Sequence, residues 1–289
     1  MLYQLTIETC PQDKLEAITH YLEEAGALSI TLTDKHDEPI LEPDIGTTPV
    51  WRENVIQALF DSQEYAQSQL EVLQQQYPWV TGSIEELVEK DWQRASMDLF
   101  QPQQFGPHLW VSPSWIAPPD PHAVNVILDP GLAFGTGAHP TTALCLKWLA
   151  AATLSHLKVV DYGCGSWILA MTALKLGAAQ VQAIDLDKQA LQATQCNAAV
   201  NQIPSEQLKI GFPRTIVPNN HLVIANILLN PLQSLKTEFK RLLLPKGTLV
   251  VSGLLSEQVE SLITYYTPDF ILKETQFFDN WALLCFELV

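Results

Sequence analysis

The chain of 289 residues has few cysteines, few basic residues and no long apolar run. Its five cysteines are odd in number and widely scattered, which favours reduced thiols in a cytoplasm over a disulfide framework. No apolar run reaches the roughly 20 residues that a membrane-spanning helix needs. The first residues also lack the basic and apolar regions of a signal peptide. We therefore expect a globular cytoplasmic protein that does not enter a membrane.

Basic residues are scarcest in the first third of the chain. Residues 1–100 contain 19 acidic and 5 basic side chains, a net charge of −14, whereas residues 101–289 contain 13 and 11, a net charge of −2. Because phosphates need basic partners, we do not expect this third to bind nucleic acid directly. An acidic surface can attract a basic protein, although it can also serve solubility alone. Charge by itself leaves these two interpretations open.

Motifs for several kinds of catalysis are missing. The seven histidines are dispersed, and neither His-Glu-x-x-His nor Cys-x-x-Cys occurs, so we expect no metal site. The absence of a Gly-x-Ser-x-Gly elbow disfavours a serine hydrolase. The stretch GLAFGTG (131–137) lacks the Gly-Lys-Ser/Thr ending of a phosphate loop, and a cofactor lid is the better interpretation.

The hydrophobic spacing of the first 90 residues alternates between strand and helix patterns. It predicts strands at 3–7, 27–34, 54–61 and 82–90, and helices at 11–27 and 62–77. The order strand-helix-strand-strand-helix-strand is typical of a ferredoxin-like fold. We therefore predict an α+β ferredoxin-like domain over residues 1–90, with no catalytic constellation of its own.

The pattern of prolines and hydrophobic residues changes after this domain. Residues 91–105 are predicted to be a linker, and a proline-rich segment follows it. From residue 123 onward, strand and helix patterns alternate to the end of the chain. This alternation predicts an α/β domain over residues 106–289, with a doubly wound, mostly parallel sheet covered by helices on both faces. The last two strands have no helix between them and are predicted to pair antiparallel.

The stretch DYGCGSW (161–167) follows an apolar strand and precedes a helical pattern. In a doubly wound sheet, Gly163 and Gly165 would let a nucleotide-like ligand approach the backbone at the carboxyl end of this strand. Asp185 ends the next predicted strand, 22 residues after Gly163, where an acid accepts both hydroxyls of a ribose. Together these features predict a cofactor site.

The choice of cofactor depends on two incomplete fingerprints. A dinucleotide motif needs a glycine where Ile168 stands, and a methyl-donor motif needs one where Trp167 stands. Asp161 favours S-adenosylmethionine, because a carboxylate suits the cationic methionyl end of that molecule. A nicotinamide oxidoreductase is a further hypothesis, which Ile168 and the lack of a candidate hydride-site residue disfavour.

Two further stretches, LDPGLAFGTGAHPTTALCL (128–146) and ANILLNPL (225–232), make the match more specific. With DYGCGS and AIDLD (183–187), they resemble the ribosomal protein L11 methyltransferase family. The resemblance extends over most of the chain. It implies an enzyme that uses S-adenosylmethionine to methylate amino groups of a large-subunit ribosomal protein, either lysine side chains or the N-terminal amine.

The resemblance also implies roles for single residues. Asn226 is expected to lie beside the methyl group and the incoming amine, as the catalytic residue, and Phe134 to Gly137 are expected to form a loop near the cofactor. The acidic first domain resembles the domain with which members of this family bind the basic ribosomal protein. The family's cofactor-binding positions correspond here to Thr142, Gly163, Gly165, Asp185 and Asn226.

Trp167 is the main departure from the family pattern, because it replaces the third glycine of the motif. An indole at this position could occupy the space of the methionyl group, or it could turn aside into the helix packing. The first orientation predicts a catalytically weakened binding protein with impaired cofactor binding. The second predicts an active enzyme, and the sequence leaves both orientations open.

Overall fold

The computed structural model describes residues 1–36, 38, 40, 46–87, 100–129 and 139–289. The chain divides into two compact units, Met1–Trp92 and Gln93–Val289. No helix in these described ranges is both long and apolar enough to cross a membrane.

The first unit combines a four-stranded antiparallel sheet with two helices. Its strands have the order β2-β3-β1-β4, which confirms the ferredoxin-like prediction. Strand β1 lies between β3 and β4, and its buried Leu5 and Ile7 belong to the same hydrophobic cluster as Ile18 and Leu22 of the first helix. The elements are β1 (Leu2–Pro11), α1 (Gln12–Glu24), β2 (Ser29–Asp34), β3 (Glu53–Phe60), α2 (Gln63–Gln76) and β4 (Gly82–Leu87).

Local signals in the sequence set the limits of these two helices. The hydroxyl of Ser62 accepts a hydrogen bond from the backbone N–H of Tyr65 and so caps the start of α2. Gly26 has a φ of 79° just after α1, a left-handed conformation that glycine adopts without the steric penalty of a Cβ.

The second unit contains a seven-stranded sheet with the order β10-β9-β8-β11-β12-β14-β13. The pairs among β8 to β12 are parallel, while β14 runs antiparallel between β12 and β13, as predicted. Two large hydrophobic clusters hold the helices against this sheet. The strands of the unit are β5 (Gln103–Gln104), β6 (Leu109–Ser112), β7 (Val124–Ile127), β8 (Lys158–Tyr162), β9 (Gln180–Ile184), β10 (Leu208–Gly211), β11 (Asn220–Asn226), β12 (Leu243–Leu255), β13 (Phe270–Phe278) and β14 (Trp281–Leu288).

Six α-helices of the second unit are described. Pro140 starts the first of them, as its fixed φ and missing N–H allow. The carboxylate of Asp187 accepts from Gln189 N–H and caps another. The helices are α3 (Pro140–Ala151), α4 (Ile168–Lys175), α5 (Lys188–Val200), α6 (Leu229–Ser234), α7 (Lys236–Leu242) and α8 (Val259–Tyr266).

The start of the second unit differs from the sequence-based expectation. Strand β7 lies in a separate three-stranded sheet with β5 and β6, outside the seven-stranded sheet. The end of the predicted linker, residues 103–105, already belongs to this unit, because Phe105 is buried in its core and its N–H donates to the carbonyl of Leu109. The predicted linker residues 91–99 lie outside the described part of the chain.

The chain changes direction across the main sheet between β8 and β11. From β8 the strands continue to β9 and β10 on one side, while β11 and β12 lie on the other. Parallel strands end at the same edge of a sheet, and such switch points are where doubly wound sheets bind ligands. The turn after β8 and the residues that follow β9 and β11 therefore meet at one carboxyl edge.

Candidate functional site

The turn between β8 and α4 places two glycines, which have no side chains, at the carboxyl edge of the sheet. Gly163 and Gly165 have φ values of 76° and 50°, in the left-handed region that favours glycine. A Cβ on Gly163 would lie 2.6 Å from Cγ2 of Ile227, in the loop after β11. A side chain at 163 would therefore clash, and its absence keeps the backbone of the turn accessible to a ligand.

Asp185 joins this turn to the end of β9. Its Oδ2 accepts a hydrogen bond from the backbone N–H of Gly165 at 2.9 Å, and its Oδ1 accepts from the N–H of Asp187 at 2.9 Å. Two of the predicted site residues are thus in direct contact. Each carboxylate oxygen has a further lone pair, so Asp185 can still accept hydrogen bonds from ligand hydroxyls.

The first turn of α3 meets the end of β11 at the same edge. The Nδ2 of Asn226 donates to Oγ1 of the buried Thr142 at 3.4 Å. The contact holds the amide plane of the half-buried Asn226, and the amide oxygen takes no part in it. The structure therefore brings together another pair of predicted site residues that stand far apart in the sequence.

His139 supports the start of α3. Its Nδ1 accepts from the backbone N–H of Thr141 at 3.4 Å, so it caps the start of the helix. The imidazole packs edge-on against the ring of Trp281, with 5.0 Å between ring centroids. Burial lowers the pKa of His139 and favours its neutral form.

Asp161 lies buried beneath the glycine turn, at the carboxyl end of β8. Its Oδ2 accepts from the backbone N–H of Ala170 at 2.9 Å, while its Oδ1 is buried without a hydrogen-bond partner among the described residues. Burial raises the pKa of Asp161 to about 7, the hydrogen bond from Ala170 lowers it, and the charge of Asp185 raises it. A buried acceptor that lacks a partner suits a ligand with a cationic or N–H group.

Between about pH 4 and pH 7, we expect the wild type to lose stability relative to the variant Asp161→Asn. Because the folded pKa of Asp161 is raised, its contribution is complete below the unfolded pKa and is lost as the pH rises through about 7. Asparagine carries no charge, and its amide oxygen can accept the same hydrogen bond from Ala170. Calorimetric melting of both proteins across this pH range measures the difference, and identical slopes would contradict the assignment.

Trp167 immediately precedes α4 with a φ of 81°, a left-handed conformation that is rare for a bulky residue. The side chain is completely buried, with 0% exposed, in the hydrophobic cluster that also contains Leu146 and Met171. Of the two orientations that the sequence left open, the structure shows the indole turned into the core packing. The backbone of Trp167 adopts a glycine-like conformation while its side chain serves the core.

An apolar cavity of about 380 Å³ opens beside Asp185 at the same edge. Leu186 follows the carboxylate directly, and Phe212 follows the end of β10. The sequence analysis missed this cavity. The signal that could have revealed it is an apolar residue within two positions of the end of each of two neighbouring strands. Its lining is Leu186, Phe212, Pro213 and Arg214.

Two other expectations concern the same region. The predicted loop Phe134 to Gly137 lies outside the residues that the structure describes. Within the described ranges, no group of three or more His, Cys, Asp or Glu side chains is arranged to hold a metal ion.

Comparison with known proteins bears on this site. The family model described as "Ribosomal protein L11 methyltransferase (PrmA)" matches residues 2–288. The chain belongs to the ribosomal protein L11 methyltransferase family. A relative of that name from Legionella pneumophila subsp. pneumophila (strain Philadelphia 1) is 55% identical over 286 residues, 99% of each chain. Another from Shewanella sp. (strain ANA-3) is 48% identical over 236 residues, 80% of each chain.

A solved structure agrees with this membership. The crystal structure of a ribosomal protein L11 methylase from Lactobacillus delbrueckii subsp. bulgaricus is 29% identical, with a TM-score of 0.59, and covers 65% of this chain and 99% of that chain. The family and the fold class predicted from the sequence are confirmed. As a member of the L11 methyltransferase family, the protein is an S-adenosylmethionine-dependent methyltransferase, and the weakened binding protein is not favoured. The roles of individual site residues remain predictions.

Proposed function

We propose that this member of the L11 methyltransferase family transfers methyl groups to amino groups of ribosomal protein L11, on lysine side chains or at the N-terminal amine. The proposal rests on two hydrogen-bonded pairs at one carboxyl edge of the sheet. Gly165 pairs with Asp185, and Thr142 pairs with Asn226. The names of the two relatives, which match 99% and 80% of the chain, support the substrate.

The groups at this edge fit S-adenosylmethionine. The carboxylate of Asp185 suits the two ribose hydroxyls, and the left-handed turn at Gly163 and Gly165 leaves space beside the backbone. The apolar cavity next to Asp185 suits an adenine ring, and the unpaired oxygen of Asp161 suits a nearby cationic group. When bound, the cofactor supplies a methyl group that its sulfonium has already activated.

The residues of this protein must then hold the substrate amine in its neutral form beside the cofactor. A free lysine has a pKa of about 10.4, so it arrives protonated unless its surroundings are partly desolvated and lower that value. The amide oxygen of Asn226 can accept an N–H of the neutral amine, while Thr142 holds the other end of the amide. The rate comes mainly from this proximity and orientation, and no side chain is required as a general base.

We further propose that the acidic domain, residues 1–90, binds the basic ribosomal protein, while residues 106–289 carry out the transfer. The net charge of −14 over residues 1–100 supports this division, since opposite charges steer protein association. Exposed Asp13, Glu16 and Glu23 lie along α1. The recognition involves protein rather than nucleic acid, and a ribosomal substrate is consistent with a cytoplasmic location.

Replacing Asp185 by asparagine is expected to weaken binding of S-adenosylhomocysteine by roughly 10-fold, because hydrogen bonds to a charged group contribute about 1.5–3 kcal/mol. Asparagine preserves the size of the side chain but has one acceptor oxygen instead of two. Isothermal titration calorimetry measures the change. A matched control is Glu206→Gln, an exposed acid outside the site. Equal affinity of Asp185→Asn and the wild type would remove Asp185 from the proposed cofactor site.

The substrate assignment can be tested directly with radiolabelled methyl donor and purified ribosomal protein L11. Label should enter L11 and should not enter a second basic ribosomal protein of similar size. Mass spectrometry of the product then locates the methylated amines. If L11 stays unlabelled while the enzyme binds S-adenosylhomocysteine, the proposed substrate is wrong although the cofactor assignment stands.

A further inference from the structure

The C-terminal hairpin places its turn at the carboxyl edge of the main sheet. Strand β14 runs antiparallel between β12 and β13, so Trp281 at its start pairs with Leu255 on one side and with Phe278 on the other. Both of those partners stand at the carboxyl ends of their strands. The segment Phe277–Asn280, which we call the hairpin tip, therefore lies at the same edge of the sheet as Asn226.

The hairpin tip exposes two adjacent aromatic side chains. Phe277 is 58% and Phe278 is 39% exposed, whereas Phe270 and Phe286 in the same two strands are fully buried. Successive side chains of a strand point to opposite faces of the sheet. Strand β13 is the edge strand of the seven-stranded sheet, and both of these neighbours are exposed although their partners in β14, Ala282 and Trp281, are buried. Exposed aromatic surface of this kind is unfavourable in water and marks an interaction site when it clusters.

Helix α3 contacts both the hairpin tip and Asn226, the residue proposed to orient the amine. The ammonium group of Lys147, on α3, lies 4.7 Å from the ring centroid of Phe278. At its start, α3 is capped by His139, which packs against Trp281, and its first turn contacts Asn226 through Thr142. The tip and Asn226 are thus connected through α3 by contacts within one unit of the protein.

Carboxylates accompany the exposed aromatic rings. Asp279 is exposed in the tip itself. The backbone N–H of Ser256 donates to the carbonyl of Asn280 at 2.8 Å, which brings the segment with exposed Glu257 beside the turn. Because Lys147 already lies over Phe278, the exposed ring of Phe277 and these carboxylates are the groups that would attract a cationic, lysine-bearing polypeptide. The same acids disfavour an anionic lipid surface.

We propose that the hairpin tip docks the segment of the protein substrate that flanks the methylated amine. This inference rests on the proposed function and names a second contact for the same substrate. A polypeptide whose amine reaches Asn226 has to bring its flanking residues over the carboxyl edge, where the tip projects.

The variant Phe277→Ser tests the docking through direct binding of ribosomal protein L11 to the enzyme saturated with S-adenosylhomocysteine. We expect the dissociation constant for L11 to rise roughly 5- to 10-fold, as for an exposed aromatic contact of moderate strength. The affinity for S-adenosylhomocysteine and the melting temperature should stay within error. In turnover assays, KM for L11 should rise while kcat changes less than twofold.

The matched control is Ile271→Ser on the same edge strand. Ile271 is 48% exposed but lies at the opposite end of β13, where it pairs with Glu287, far from the carboxyl edge. Equal L11 affinity for wild type, Phe277→Ser and Ile271→Ser would overturn the docking proposal. An L11-independent dimer of the wild type that Phe277→Ser dissociates would also overturn it, because the tip would then join two copies.

Direct binding separates this proposal from the proposed function. If L11 binds and Phe277→Ser weakens it, the docking stands even when no methyl transfer is detected. If methyl transfer occurs and L11 affinity does not depend on Phe277, the proposed function is supported and the docking proposal is wrong. Failure of the wild type to bind L11 at all would overturn both.

Discussion

Replacing Asn226 by alanine is expected to lower kcat for methyl transfer by about 100-fold or more, because misplacing a reacting group by 1 Å costs rate factors of this order. The alanine variant keeps the end of β11 but removes the amide that can orient the amine lone pair. Thr142, which contacts the amide in the wild type, stays in place. Single-turnover assays with saturating ribosomal protein measure the chemical step apart from substrate binding.

A matched asparagine serves as the control for this experiment. Asn219 lies just before β11, at the amino edge of the sheet, and has a φ of 68° that glycine adopts freely. Asn219→Gly should therefore retain wild-type kcat. The affinity of Asn226→Ala for S-adenosylhomocysteine should fall by less than 10-fold, so saturation remains possible. A kcat for Asn226→Ala equal to that of Asn219→Gly would show that the amide does not orient the amine.

Replacing Trp167 by glycine is expected to lower the free energy of unfolding of the second unit by about 1–4 kcal/mol. Truncating a buried tryptophan costs about 3–5 kcal/mol through lost burial and the remaining cavity. Glycine offsets about 1–2 kcal/mol of this cost, because a left-handed φ strains residues that carry a Cβ. The melting temperature of the second unit should fall by roughly 10 °C.

Two further tryptophan variants sharpen this measurement. Trp115→Ala, at a side chain that is 37% exposed, should cost less than 1 kcal/mol, in line with surface substitutions. Trp167→Phe should cost less than Trp167→Gly, since it keeps an aromatic ring in the core.

Cofactor titration of the same variants separates packing from obstruction. If Trp167 serves the core, Trp167→Gly should bind S-adenosylhomocysteine no more tightly than the wild type. A variant that keeps its stability and binds the cofactor much more tightly would mean that the indole blocks the methionyl pocket. That result would contradict the burial argument and revive the weakened binding protein.

Features that depend on neighbouring residues could be predicted from the sequence. The strand, the glycine turn and α4 follow one another along the chain, and the spacing from Gly163 to Asp185 reflects one strand-helix-strand unit. The ferredoxin-like order and the antiparallel pair at the end follow from the order of short patterns. These predictions succeeded because local hydrophobic periodicity and turn residues carry their information within a few residues.

Features that depend on distant partners could not be predicted in the same way. The three-stranded sheet of β5, β6 and β7 forms from short strands between prolines, whose pairing no local pattern indicates. The cavity beside Asp185 needs Phe212, which comes from the next strand of the sheet. The exposure of Phe277 follows from the position of β13 at the edge of the sheet, which the hydrophobic pattern of one strand does not reveal.

The sequence by itself determined the family, the two-part organisation and the acidic residue that follows β9, because motifs and patterns preserve local chemistry. Only the tertiary structure decided where the indole of Trp167 points and that Thr142 contacts Asn226 across 84 residues. The orientation of a side chain depends on which neighbours the fold supplies, and contacts between distant segments exist only once the sheet has brought its strands together. The tryptophan that interrupts the glycine motif is therefore a part of the core.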